Sequence, residues 1–95
     1  MQKITIYTRQ LCGFCTAAIS LLNQKGYAYD EIAADFNPPL RTELEQRSGQ
    51  ATLPQIFVGD YSVGGFQELM QSVQSGEFDE LLAQAPDGSD SEAVS

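Results

Sequence analysis

Ninety-five residues suit one small domain, and a hydrophobic share of 42% argues against disorder through most of the chain. No apolar stretch approaches the roughly 18 residues that cross a bilayer, and Met1-Gln2-Lys3-Ile4-Thr5 lacks the long apolar run of a secretory signal, so a cytoplasmic protein with no membrane partner is expected. The net charge of −8 repels phosphate backbones and excludes nucleic acid as the expected partner.

Ile4, Ile6 and Tyr7 with Thr5 between them read as a first strand, ending at the polar Thr8-Arg9-Gln10. A cysteine pair follows, and then a helical stripe of Ala17, Ala18, Leu21 and Leu22, stopped at Lys25-Gly26. Tyr27 to Ile32 reads as a second strand with weaker alternation. Pro38-Pro39 opens a second helix whose buried side is Leu40 and Leu44, and Gly49 ends it.

Gln55-Ile56-Phe57-Val58 is a third strand, joined through a Gly59-Asp60 turn to a hairpin partner at Tyr61-Ser62-Val63. Phe66, Leu69, Met70 and Val73 have the spacing of a third helix, which Phe78, Leu81, Leu82 and Ala85 repeat as a fourth. The acidic charge gathers late: from Glu77 onward there are six acidic residues and no basic one. Residues 1–85 are expected to form the domain, and the polar, aperiodic 86–95 an acidic disordered tail.

The order β-α-β-α-β-β-α-α calls for a parallel first unit and an antiparallel hairpin. That makes a mixed four-stranded sheet flanked by helices, an α/β layout similar to the thioredoxin-like fold.

The chain holds two cysteines and no histidine, and the cysteines are spaced Cys12-Gly13-Phe14-Cys15. A disulfide there closes too short a loop to serve as a staple. Four-coordinate zinc would need ligands from a second chain. The remaining reading is reactivity. A cysteine at the mouth of a helix faces unpaired N–H groups and the positive end of the helix dipole. These favour a thiolate and draw the pKa below the free value of ~8.5; a fall of two units corresponds to about 2.7 kcal/mol. Arg9 adds a second positive influence. Cys12, ahead of the helix, is the expected nucleophile, and Cys15, in its first turn, the resolving thiol. Phe14 offers substrate an apolar face.

Ile6-Tyr7-Thr8-Arg9, the cysteine pair, Arg47-Ser48-Gly49, Thr52-Leu53-Pro54-Gln55-Ile56-Phe57 and Gly64-Gly65-Phe66 follow one another between about Lys3 and Leu82. In that order they resemble the dithiol glutaredoxins. The resemblance implies a cis Pro54 facing the cysteines, with the Leu53 backbone turned outward to pair with a substrate peptide. It also implies a glutathione site of Arg9, Phe14, Thr52, Leu53, Pro54, Gly65, Phe66 and Gln67. Gly65, Phe66 and Gln67 would hold the γ-glutamyl carboxylate, and Arg9, with Gln46 or Arg41, the glycyl carboxylate. The sequence departs from the family pattern at Gly13 and Phe14, where Pro and Tyr are usual, and at Gln67, where Asp is usual.

The implied activity is glutathione-dependent reduction of glutathione mixed disulfides and protein disulfides. It uses glutathione as co-substrate and no tightly bound cofactor. Implied partners are glutathione, glutathionylated or disulfide-bonded proteins and, indirectly, glutathione reductase, with the chain acting as a monomer. The alternative is a carrier in which Cys12 of two chains and two glutathiones hold a [2Fe–2S] cluster; Cys15 speaks against it, because the dedicated carriers have Ser at that place. A third reading is a donor fed by thioredoxin reductase, against which the Gly64-Gly65 glutathione site speaks.

Overall fold

The computed structural model describes residues 2–84, so Ala85 and the expected tail at 86–95 lie outside the described residues. Its elements are β1 (Ile4–Thr8), α1 (Gly13–Gln24), β2 (Asp30–Ala33), α2 (Pro38–Ser48), β3 (Gln55–Val58), β4 (Tyr61–Gly64), α3 (Phe66–Ser75) and α4 (Glu77–Ala83). The strands lie in the order β2-β1-β3-β4. β1 runs parallel to β2 and antiparallel to β3, and β4 returns antiparallel along β3. The expected mixed four-stranded sheet, flanked by helices, is the one observed.

β1 and β3 are central strands, and β3 is buried at every position. Alternation therefore splits their side chains between two cores. Ile4, Ile6, Ile56 and Val58 join Ala18 and Leu22 of α1, Leu69 of α3, and Phe78 and Leu82 of α4. Tyr7 and Phe57 face the other way, where they meet Ala34 and Leu44. Each large aliphatic or aromatic side chain so buried contributes about 1.5–3 kcal/mol. Tyr7 meets Phe57 edge-on at 5.7 Å, and the Arg47 guanidinium caps the Phe57 ring from 4.3 Å.

α2 shows how local chemistry sets an element's limits. The Asn37 side chain accepts from the Leu40 N–H at 3.3 Å, and the two prolines fill positions whose N–H has no helical partner. Gly49 ends the helix with φ 77°, a left-handed cap that favours glycine.

The second strand differs from expectation: it is Asp30–Ala33, not Tyr27–Ile32. The Tyr27 N–H still bonds back to Leu22 O at 3.1 Å, so that residue belongs to the turn that closes α1. Its ring packs against Phe78, and its hydroxyl donates to Asp79; the Tyr29 hydroxyl donates to Asn23. The alternating aromatics therefore mark side-chain packing along helices, while strand pairing begins only at Asp30.

Candidate active site

β1 ends at Thr8, and a turn over Arg9-Gln10-Leu11 delivers Cys12 to the start of α1. Cys12 is the N-cap residue, in extended backbone conformation (φ −121°, ψ 105°). Its sulfur plays the part that a serine or aspartate oxygen usually plays, because the Cys15 N–H points at Cys12 Sγ from 3.1 Å. The Thr16 N–H and Oγ1 both donate to Cys12 O, at 3.1 and 3.3 Å, which fixes the cap's backbone. The two sulfurs are joined as a disulfide, with 5.2 Å between the Cα atoms.

Cys12 keeps 8% of its surface open and Cys15 3%. The asymmetry has the expected sense but is small. The Leu53 carbonyl oxygen lies 3.9 Å from Cys12 Sγ. A disulfide sulfur carries no proton, so this is a packing contact, not a hydrogen bond.

The Leu53–Pro54 peptide is cis, as the resemblance implied. The loop that carries it is anchored from two sides. The Gln55 side-chain amide, buried at the head of β3, donates to Gln50 O at 2.7 Å and Thr52 O at 3.1 Å. Arg41 donates to Ala51 O at 2.9 Å.

A groove of about 340 Å³ is lined by Phe14, Thr52, Leu53, Pro54, Gly65, Phe66, Gln67 and Glu68. Seven of the residues implied for glutathione thus share one surface. Phe14, 63% exposed, stacks on Phe66 with centroids 6.0 Å apart. Arg9 does not line the groove; its guanidinium donates to the carbonyls of Gln10 and Leu11 at 3.0 and 3.3 Å. The Gly65 N–H is taken as well, since it donates to Glu68 Oε1 at 2.9 Å. The Phe66, Gln67 and Glu68 amides, in the first turn of α3, have no acceptor inside the helix, whose first bond runs from the Leu69 N–H to Gly65 O.

Sequence reading missed Glu68 as the acceptor for Gly65, although a glutamate three residues after a helix N-cap is a known signature of that contact. It also missed Leu11 and Phe36, which stand almost wholly in solvent. A larger cavity of about 700 Å³ lies at the other end of the sheet, among Lys3, Tyr27, Tyr29, Asp79 and Leu82. Size alone would therefore have pointed away from the cysteines.

The glutaredoxin family model matches residues 4–63. A glutaredoxin of Neisseria meningitidis serogroup A is 45% identical over 83 residues, covering 86% of this chain and 98% of its own. The chain belongs to the glutaredoxin family. Among solved structures, the glutaredoxin of Brucella melitensis is 44% identical with a TM-score of 0.76, covering 86% of this chain and 89% of its own. A buckwheat glutaredoxin–glutathione complex has a TM-score of 0.78 at 26% identity, covering 85% of this chain and 76% of that one. As a glutaredoxin, the protein is a thiol–disulfide oxidoreductase. Among the described residues, no helix is long and apolar enough to cross a membrane.

Proposed function

We propose that the protein reduces glutathione mixed disulfides and protein disulfides at the expense of glutathione, with Cys12 as nucleophile and Cys15 as resolving thiol. The observation that carries this reading is the Cys15 N–H aimed at Cys12 Sγ from 3.1 Å at the opening of a helix. Once the disulfide is reduced, the same donor meets a thiolate, and a hydrogen bond to an anion is roughly twice as strong as a neutral one.

In the forward cycle the Cys12 thiolate attacks one sulfur of a substrate disulfide, forms a mixed disulfide and expels the other sulfur as a thiolate. For a glutathionylated protein, the sulfur attacked is glutathione's. The protein thiol leaves, and a second glutathione thiolate frees Cys12 as oxidised glutathione departs. For a protein disulfide, the Cys15 thiolate attacks Cys12 Sγ and releases the dithiol substrate. Two electrons have then passed to substrate, and the pair is left oxidised, as it is in this structure. Two glutathiones reduce it again, and glutathione reductase recycles the product.

The groove beside the disulfide is the proposed seat of glutathione, a reading supported by the buckwheat relative, whose structure is a complex with glutathione. Phe66 and Gln67 amides would receive the γ-glutamyl carboxylate at the positive end of α3. Thr52 and Leu53 would present backbone to the peptide, and Phe14 and Pro54 apolar surface. Gly65 would contribute close approach, its amide being held by Glu68. Arg9 would reach the glycyl carboxylate only by exchanging the carbonyls of Gln10 and Leu11 for it. The cycle needs no tightly bound cofactor and suits a monomer in the cytoplasm, where the glutathione pool is reducing. The alternative [2Fe–2S] carrier would use Cys12 alone; the presence of Cys15 beside it, within disulfide reach, favours the dithiol cycle.

A glutathione reductase-coupled assay on wild type, Cys12→Ser and Cys15→Ser tests the proposal. Cys12→Ser should lose all turnover. Cys15→Ser should keep deglutathionylation and lose most reduction of protein disulfides. Turnover of a glutathione mixed disulfide by Cys12→Ser would overturn the assignment.

A further inference from the structure

Two apolar side chains, one adjoining Cys12 in sequence and one on the loop bonded through Asp35 to the turn before Cys12, serve no core. Leu11 is 98% exposed and Phe36 93%, and both have positive φ, 52° and 62° respectively. A bulky residue seldom enters that region, and strained backbone of this kind clusters at functional sites. Glycine or asparagine at either position would ease the backbone and remove the exposed apolar surface. The sequence carries both costs.

The platform beneath these side chains is braced. The Gln10 N–H donates to Asp35 Oδ2 at 3.0 Å, and the Ala34 N–H to Thr8 O at 2.8 Å. The loop holding Leu11 is thereby bound to the loop holding Phe36. The Arg9 guanidinium adds two bonds to the carbonyls of Gln10 and Leu11.

Leu11 directly precedes Cys12, so a macromolecule that brings a disulfide to Cys12 across this loop covers it. Neither Leu11 nor Phe36 lines the groove of Phe14, Leu53 and Phe66. A small, charged tripeptide gains nothing from an apolar rim outside its own groove.

We infer that Leu11 and Phe36 form a docking rim for polypeptide disulfides whose half-cystine is flanked by apolar side chains. The rim is continuous with the reactive site through Leu11–Cys12, and that continuity selects a protein substrate as its occupant. The inference rests on the disulfide-reducing function proposed above and names its substrate class.

The test compares wild type with the double variant Leu11→Asn/Phe36→Gly on three probes. Two are disulfide-bonded peptides that differ only in having Leu and Phe, or Ser, beside the half-cystine. The third is the mixed disulfide of glutathione and 2-mercaptoethanol. The variant should raise KM for the apolar peptide about tenfold, equivalent to about 1.4 kcal/mol. The other two probes should change less than about twofold, which is under about 0.4 kcal/mol. The thermal midpoint should hold or rise, because both substitutions relieve positive φ.

Equal losses on both peptides, no loss on the apolar one, or a lowered thermal midpoint would overturn the inference. So would concentration-dependent self-association of the wild type that the variant abolishes while peptide KM stays unchanged, since a second copy would then be the occupant. Peptide turnover with dithiothreitol but not with glutathione would instead overturn the glutathione reading, leaving the two-peptide comparison intact.

Discussion

At the N-terminal end of β1, the Gln2 N–H bonds Leu82 O at 2.9 Å, Lys3 O accepts from the Gly59 N–H at 2.8 Å, and Lys3 pairs with Asp30 at 2.7 Å. Tyr27 packs on Phe78 and bonds Asp79 over the same end. At the C-terminal end the chain turns outward instead. Leu11, Phe14 and Phe36 face solvent, two of them on positive-φ backbone, around a sulfur pair held at a helix mouth. One end ties its loops and rings into the core. The other leaves apolar surface uncovered where chemistry happens. Stability and reactivity are thus separated along a single strand, and mutations at the two ends should read out differently.

The largest stability effect belongs to the N-terminal end of β1. Phe78→Ala removes a fully buried ring in edge-to-face contact with Tyr27 at 5.1 Å. It should cost about 3–5 kcal/mol in denaturant unfolding. Turnover per folded molecule should stay near wild type; a parallel fall in both would break the separation of the two ends.

Gly64→Ala sharpens the comparison from the active end. Gly64 has φ 120°, and an added Cβ would stand 2.9 Å from Glu68 Cβ. The substitution should cost about 1–3 kcal/mol through backbone strain. Displacement of Glu68 should also disturb the first turn of α3, raising KM for glutathione more than it lowers kcat. A stability loss with unchanged KM would show that this turn lies outside the glutathione site.

The smallest effect is a pH dependence. Burial, reinforced by the bond to Asp79, pushes the Tyr27 hydroxyl up from 10.0 to about 12. The folded protein therefore keeps a proton that the unfolded chain gives up. The associated stability is whole below pH 10 and declines as pH rises from 10 toward 12. Tyr27→Phe should flatten that alkaline decline in unfolding midpoints measured across the range. An unchanged slope would assign the decline to other groups. The Lys3–Asp30 pair at the same end is exposed on both sides and contributes little.

Most of the fold was legible because its signals are local. Pro38-Pro39 and Gly49 bracket a helix by their backbone geometry alone, and Gln55–Val58 reads as a buried strand from its continuous run. The cysteine spacing placed the reactive pair without any tertiary information. What escaped depends on contacts between distant segments. Tyr27 and Tyr29 alternate as a strand would, yet they pack on α4 and α1, and only the arrangement of those helices decides it. The destination of the Arg9 guanidinium is a rotamer choice set by the turn beneath it. Leu11 and Phe36 lie out of phase with every periodic segment, so an apolar residue there gives no pattern to detect.

The donor that faces Cys12 Sγ belongs to the main chain of residue 15, not to its side chain. Whichever amino acid other than proline occupies that position, the amide stays and the first sulfur keeps its electrostatic partner. In the proposed cycle, the making of a mixed disulfide is thereby uncoupled from its intramolecular release. If Cys12 is the nucleophile, as proposed, a lineage could discard the second sulfur in a single substitution and keep the amide that faces the first.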